Sequence, residues 1–327
     1  MKFGLMVPTY SWEHLDYDTA ANIKTFAQRA EALGFDALWV CEHVLTAPGL
    51  YGGAWLSPLL CLAHMAAVTS RVTLGTNILI PSLRHPVMLA KEIATMDALS
   101  GGRYILGLGV GWDEHEFESC GVKLSERGGR TDESITILRR LLSESLVSHH
   151  GRYYHFDDVT IDPRPPQFPK LWVAGGSKIK TALSPDPERI APSVLRRIAQ
   201  ADGWTARAAG EQHLVKADWQ QITAYCESIG RDPATLTFSH LNFAHLVPTD
   251  SRDHAHRVQR PHFERTMGTH RSWEHLQRSY FTGTTDDIVS RIQDLEASGL
   301  QDMVLCPLDY DLGQIEMYAS EIMPHFR

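Results

Sequence analysis

Residues 106 to 117 read LGLGVGWDEHEF, which sets three alternating glycines, Gly107, Gly109 and Gly111, directly ahead of a tryptophan and a cluster of acids. Alternating glycines after a strand let backbone amides turn outward and approach an oxyanion closely, as a phosphate site requires. The spacing is GxGxG rather than the GxGxxG of a dinucleotide fingerprint, and no clean helix opens there. A second set, AGGS at 174 to 177, contributes Gly175, Gly176 and Ser177. Either loop alone reads equally well as turn chemistry. On neighbouring strands the two could hold one phosphate between them.

Other reactive side chains also stand at the ends of apolar runs. His43 follows ALWVC, and an imidazole there can bond a ring carbonyl or move a proton near neutral pH. Glu42 alternates to the opposite side of an ideal strand, so only one of the pair need face a site. If Glu42 points outward, an ion pair or a helix cap is its ordinary role. Trp112, Asp113, Glu114 and Glu116 follow the glycine loop, where acids also favour a helix start. Trp12, His14, Tyr51 and Trp55 lie after the first two strands, where aromatic faces could wall a planar substrate or simply cover an edge. His254, His256, His262, His270 and His275 match no zinc spacing, and no cysteine joins them, so no metal site is expected.

Such groups need a scaffold that gathers strand ends. Short apolar runs alternate with amphipathic stretches nearly throughout, the pattern of successive βα units. Strands are predicted at 2–7, 36–41, 72–79, 103–109, 170–174, 202–205, 236–247 and 302–306. In the first helix Asp18 can cap, Ile23, Phe26, Ala27, Ala30 and Leu33 form a stripe, and Gly34 can close it. An internal echo, EALGFDALWV at 31–40 and EASGLQDMVL at 296–305, uses one helix-to-strand joint twice. Eight βα units in 327 residues predict an α/β protein with a (β/α)8 TIM-type barrel, with catalytic groups at the carboxyl ends of the strands. A doubly wound sheet is the alternative. Segments 147–168 and 248–281 read as insertions, the first with a short hairpin around RYYHF, the second a lid over the barrel mouth.

A net charge of −8 excludes a strongly basic surface for nucleic acid or anionic membrane. Pro8 breaks the apolar start, and no run approaches a membrane span, which predicts a cytoplasmic protein. The five cysteines form no CxxC pair and are read as reduced thiols.

The run LGTNILIPSLRHPVMLAKEIATMDALSGGRYILGLGVGW at 74–112, with ALGFDALWVCEHV before it and PKLWVAGGS, ADGWTA and FTGTTDDIVSRIQDLEASGLQDMVL after it, resembles the bacterial luciferase-like superfamily of flavin and deazaflavin enzymes. Within it the chain is most similar to the branch of coenzyme F420-dependent oxidoreductases. The resemblance covers nearly the whole chain and implies a single luciferase-like barrel domain, with F420 as cofactor and FMN as the alternative. It assigns Glu42 and His43 to the cofactor and substrate cavity. It places a non-proline cis peptide at Asn77 and Ile78, and gives Gly107, Gly109, Gly111, Gly175, Gly176 and Ser177 to the ribityl chain and phosphate. An acid such as Glu114 acts as a general acid in related enzymes, and Trp12, Tyr51, Trp55 and Trp112 wall the substrate. A small-molecule substrate, a homodimer and a separate flavin or F420 reductase are the expected partners. One departure stands out: residues 178–194, KIKTALSPDPERIAPSV, intervene after the strand-five glycines and carry Lys178, Lys180 and Arg189. They meet an anionic cofactor tail or form a solvated loop.

The expected chemistry is hydride transfer to or from a small organic substrate on a deazaflavin; a reduced flavin would instead trap oxygen and act as a monooxygenase. A non-catalytic flavin-binding protein is a third reading. A barrel hydrolase or aldolase lacks an evident Schiff-base lysine or metal triad.

Overall fold

The computed structural model describes residues 1–11, 18–46, 54–177, 189–208 and 210–327. Eight parallel strands close into a barrel: β1 (Lys2–Met6), β2 (Ala37–Val40), β3 (Thr73–Thr76), β4 (Tyr104–Leu108), β5 (Lys170–Ala174), β6 (Gly203–Ala206), β7 (Thr237–Ala244) and β8 (Asp302–Pro307). Each overlaps one of the eight apolar runs. Closure is direct: β1 pairs with β2 through Gly4 and Ala37, and with β8 through Lys2 and Asp302. An open doubly wound sheet is thereby ruled out.

The repeated joint works as its sequence suggests. The helix Thr19–Ala32 buries Ile23, Phe26, Ala27 and Ala30, and Gly34 follows it at φ +87°. Gly299 follows the helix Thr285–Glu296 at φ +107°. Only glycine takes such angles without a β-carbon clash. At both joints the residue before or beside the next strand then ties down a neighbour: Asp36 accepts the Phe3 amide at 2.8 Å, and Gln301 Oε1 accepts the Phe238 amide at 3.1 Å.

Two indoles fill the barrel interior. Trp39 and Trp172 pack with centroids 4.8 Å apart, and glycines on the adjoining strands make the room. A β-carbon on Gly4 would lie 2.5 Å from Trp39 Nε1, and one on Gly203 would lie 2.5 Å from Trp172 Nε1. Gly75 gives way to the other edge of the Trp39 ring. Large against small across facing strands is how a closed barrel reaches crystal-like density. Cys41 and Ala174, each two residues beyond an indole on the same strand line, therefore stand on a solid floor.

The additions to the barrel are folded. Val147–His150 and His155–Val159 form the hairpin, pinned by Glu133, which accepts the amides of Tyr153 and Tyr154. The helices Arg252–Met267 and Trp273–Ser279 bury Phe263, Met267, Leu276 and Tyr280 against Phe243 and Leu308. They make a packed roof on the β7–β8 side of the mouth. Of residues 178–194, positions 178–188, with Lys178 and Lys180, lie outside the described residues. Among the described residues no helix is long and apolar enough to cross a membrane.

Candidate active site

A cavity of about 330 Å³ opens at the carboxyl ends of the strands, lined by residues from β1, β2, β3, β5, β6, β7 and β8 or the turns just after them. Its walls are mainly apolar, with Met6, Ile78, Leu241 and Phe243 among them. Polar groups converge at a few points: His43, Asn77 and Arg207. Apolar walls with few fixed polar groups are the usual make-up of a small-molecule site.

His43 lies where strand β2 runs out. Its Nδ1 is 3.2 Å from Glu116 Oε1, and the same oxygen accepts the Val44 amide at 2.7 Å and the Leu45 amide at 3.1 Å. Burial alone would raise the Glu116 carboxyl; the hydrogen bonds from His43 and from the Leu45 and Val44 amides outweigh it and hold the group below its ordinary range. The imidazole also packs on Trp55, centroids 5.1 Å apart, and edge-on to Trp112 at 5.9 Å. Both tryptophans line the cavity. Trp12, His14 and Tyr51 lie outside the described residues.

Two acids expected at the site face elsewhere. Glu42 is buried, with its carboxylate on Arg84 at 2.5 Å and on the Ile80 amide at 2.6 Å. It takes the outward ion-pair role, which follows from alternation with His43. Glu114 is exposed on the first turn of the helix Glu114–Ser119, whose N-cap is Asp113. Asp113 accepts the His115 amide at 2.9 Å, and that start turns Glu116 and Phe117 inward. Glu116, two residues on, is therefore the acid that reaches His43.

The Asn77–Ile78 peptide is cis, as the resemblance implied. Asn77 Nδ2 donates to Thr205 Oγ1 at 3.2 Å across the mouth. The alternating glycines of β4 fit around this segment. A β-carbon on Gly107 would be driven into the Thr76 carbonyl, one on Gly109 would come within 2.7 Å of Ile78, and one on Gly111, at φ +74°, within 2.8 Å of Phe117. Their amides are committed as well: Gly107 N–H donates to Thr76 Oγ1 and Gly109 N–H to the Leu79 carbonyl, both at 3.0 Å. Packing against residues 76–80 accounts for the spacing of Gly107 and Gly109.

The strand-five loop shows a similar commitment. Ser177 N–H donates to the Asp218 carboxylate at 3.1 Å, and Gly176 has no β-carbon because Asp218 occupies that space. Burial raises the Asp218 carboxyl, opposed by Ser177 and Arg207. Gly175 is packed against Val194. Arg207, which the sequence reading missed, donates to Ser177 Oγ at 2.8 Å and to its carbonyl at 3.1 Å. Its signal was legible, since Arg207 follows DGWTA directly and so stands at a strand end.

Cys41 and Cys306 also line the cavity. Burial pushes the Cys41 thiol up to about 12, so it stays protonated and is no nucleophile. Among the described residues no group of histidines, cysteines and acids could hold a metal ion.

A closed (β/α)8 barrel with an apolar cavity at its carboxyl face, a histidine–carboxylate pair and a cis peptide on the wall is the architecture of a small-molecule enzyme. The particular family is specified by the whole sequence: a family model for luciferase-like monooxygenases matches residues 1–300, and the chain belongs to that family. An F420-dependent glucose-6-phosphate dehydrogenase of Kineococcus radiotolerans is 39% identical over 155 residues, 46% of this chain and 45% of that one. An FMNH2-dependent dimethylsulfone monooxygenase of Pseudomonas fluorescens is 29% identical over 235 residues, 66% of this chain and 62% of that one. The chain spans about half the length of the first curated relatives it matches. Among solved structures, monooxygenase RslO1 from Streptomyces bottropensis superposes with a TM-score of 0.82 at 24% identity, covering all of both chains.

Proposed function

We propose that this protein is a flavin- or deazaflavin-dependent oxidoreductase that uses coenzyme F420 to move a hydride to or from a small organic substrate. The observation that carries the reading is His43, held by a buried carboxylate on the wall of an apolar cavity, with the cis peptide at the end of the neighbouring strand β3. When bound, the deazaflavin supplies a ring carbon that gives or accepts hydride. The mainly apolar walls suit such a ring. His43 takes or returns the substrate proton, and Trp55 and Trp112 border the place where the substrate lies. Fewer backbone amides are available to a phosphate than the glycine count suggested. Gly111, Gly175, Gly176 and Arg207 are its candidates, because the amides of Gly107, Gly109 and Ser177 are engaged within the protein.

The monooxygenase reading, on reduced FMN with oxygen, is supported by the dimethylsulfone enzyme, which aligns over a larger share of this chain than the glucose-6-phosphate dehydrogenase does. It would call for a separate reductase. Titrating the protein with oxidised FMN and with F420, followed by fluorescence, separates the two. Tight F420 binding supports the proposal; tight FMN binding with no affinity for F420 overturns it.

A homodimer is part of the proposal. Leu60, Met88 and Leu99 are 73%, 61% and 59% exposed on the helices Pro58–Ala66 and Pro86–Ser100, an apolar face suited to a second copy. A monomeric mass in sedimentation equilibrium would remove this part. The cysteines are free thiols, which supports placing the protein in the cytoplasm.

A further inference from the structure

We propose that Glu116 is the positioning residue for His43: its carboxylate sets which imidazole nitrogen carries the proton and stabilises the ring once a second proton arrives. This rests on the reading of His43 as the group that handles the substrate proton.

The argument begins with donors and acceptors. An ionised carboxylate only accepts, so the nitrogen facing Glu116 Oε1 at 3.2 Å, Nδ1, must carry a hydrogen. The neutral ring is then left with Nε2 as its unprotonated nitrogen, the form a base requires. The Val44 and Leu45 amides cannot lose their protons at working pH, and they aim the same oxygen whatever the state of the imidazole. Glu116 is thus oriented independently of the residue it orients. Its side chain is 1% exposed and that of His43 8%, so solvent screens the pair weakly. A proton gained at Nε2 creates an imidazolium whose charge meets an anion already in place.

Among the described residues, the charged groups next to the pair have partners of their own. Glu42, adjacent in the chain, is paired with Arg84. Arg207, elsewhere on the cavity wall, lies 3.6 Å from Asp218. The Cys41 thiol is neutral. On the helix that carries Glu116, Asp113 caps the first turn while Glu114 and His115 face solvent. Among the described residues, Glu116 is a carboxylate in direct contact with the ring.

A purely architectural Glu116, tying residues 44 and 45 to the helix Glu114–Ser119, would show the same distances. Glu116→Gln separates the two roles, because the amide oxygen accepts from the same three donors while the negative charge is gone. The experiment is a titration of 15N-histidine-labelled protein, with the His43 signals assigned by comparison with His43→Gln. The parent should show Nδ1-protonated neutral His43, and Glu116→Gln should bind the second proton about tenfold more weakly. With F420 and a turned-over substrate, kcat should fall roughly 10- to 100-fold with KM within twofold. Identical ring titrations in parent and variant overturn the proposal. So does an Nε2-protonated neutral ring in the parent, a result that holds even if the variant fails to fold. No hydride transfer by the parent with either cofactor, alongside an intact difference in ring titration, overturns the functional reading and supports the control of His43 by Glu116.

Discussion

A β-carbon on Gly109 would stand 2.7 Å from the side chain of Ile78, the residue whose peptide bond with Asn77 is cis. Strands β3 and β4 therefore run out of the barrel as one fitted unit. The Leu79 amide donates to Gly107 O at 2.9 Å, and the Leu79 carbonyl accepts from Gly109 N at 3.0 Å. The wall of the cavity at Ile78 is as rigid as this interlock.

Gly107→Ala tests that relationship most directly. Its β-carbon would collide with the Thr76 carbonyl, which is backbone and cannot rotate away. A loss of about 3 kcal/mol or more is expected, or failure to fold. Gly128→Ala is the control: in the helix Arg127–Leu141 its β-carbon meets nothing nearer than Arg197 Nη2 at 3.8 Å. A gain of roughly 0.5 kcal/mol from helix propensity is expected there. Chemical denaturation reads both, and a neutral Gly107→Ala would sink the packing account.

His43→Ala should leave the barrel folded, since one strand-end side chain adds little to a core of this size. Turnover should fall roughly 100-fold, the scale for a positioned acid or base. His43→Gln keeps a hydrogen bond but carries no proton, so recovered binding without recovered rate marks a chemical role. If both variants turn over normally, His43 is only a wall of the pocket.

Glu42 and Arg84 brace the loop after β3 from outside the cavity, with side chains 2% and 26% exposed. Arg84→Ala strands a buried carboxylate on the Ile80 amide and should cost about 3 kcal/mol. The double variant Glu42→Gln with Arg84→Met should cost less than Arg84→Ala alone, because no unpaired charge is left behind. A double variant less stable than Arg84→Ala in urea would contradict this.

Asp302 gives the barrel a pH signature at its amino end. It is 4% exposed, and Ser239 Oγ donates to it at 3.4 Å. Burial pushes its carboxyl up to about 7, with Lys2 and Ser239 opposing and Asp36 adding to the rise. The folded value lies above the unfolded one, so the folded state holds the proton more tightly. Stability from this group is full below about pH 4 and lost as pH rises through about 7. Asp302→Asn should remove that loss, gaining on the order of 3 kcal/mol at pH 8 relative to pH 5. Denaturation at the two pH values checks it; parallel profiles for parent and variant refute it.

Much of this protein is legible along the chain. Short apolar runs and closing glycines such as Gly34 report local backbone geometry, which depends on neighbours in sequence, and all eight barrel strands follow from them. The family motif carried the cis position at Asn77–Ile78 for the same reason of local identity. Side-chain direction and occupancy are different matters. Glu42 and Glu114 are plausible acids until the pleat turns one toward Arg84 and the helix start turns the other to solvent, leaving Glu116 on His43, 73 residues away. Gly107 and Gly109 look like an anion cradle until Thr76 and Ile78 fill the space beside them and Thr76 and Leu79 take up their amides. Those outcomes are set by which distant group arrives at a given volume, and that is decided only when the barrel closes.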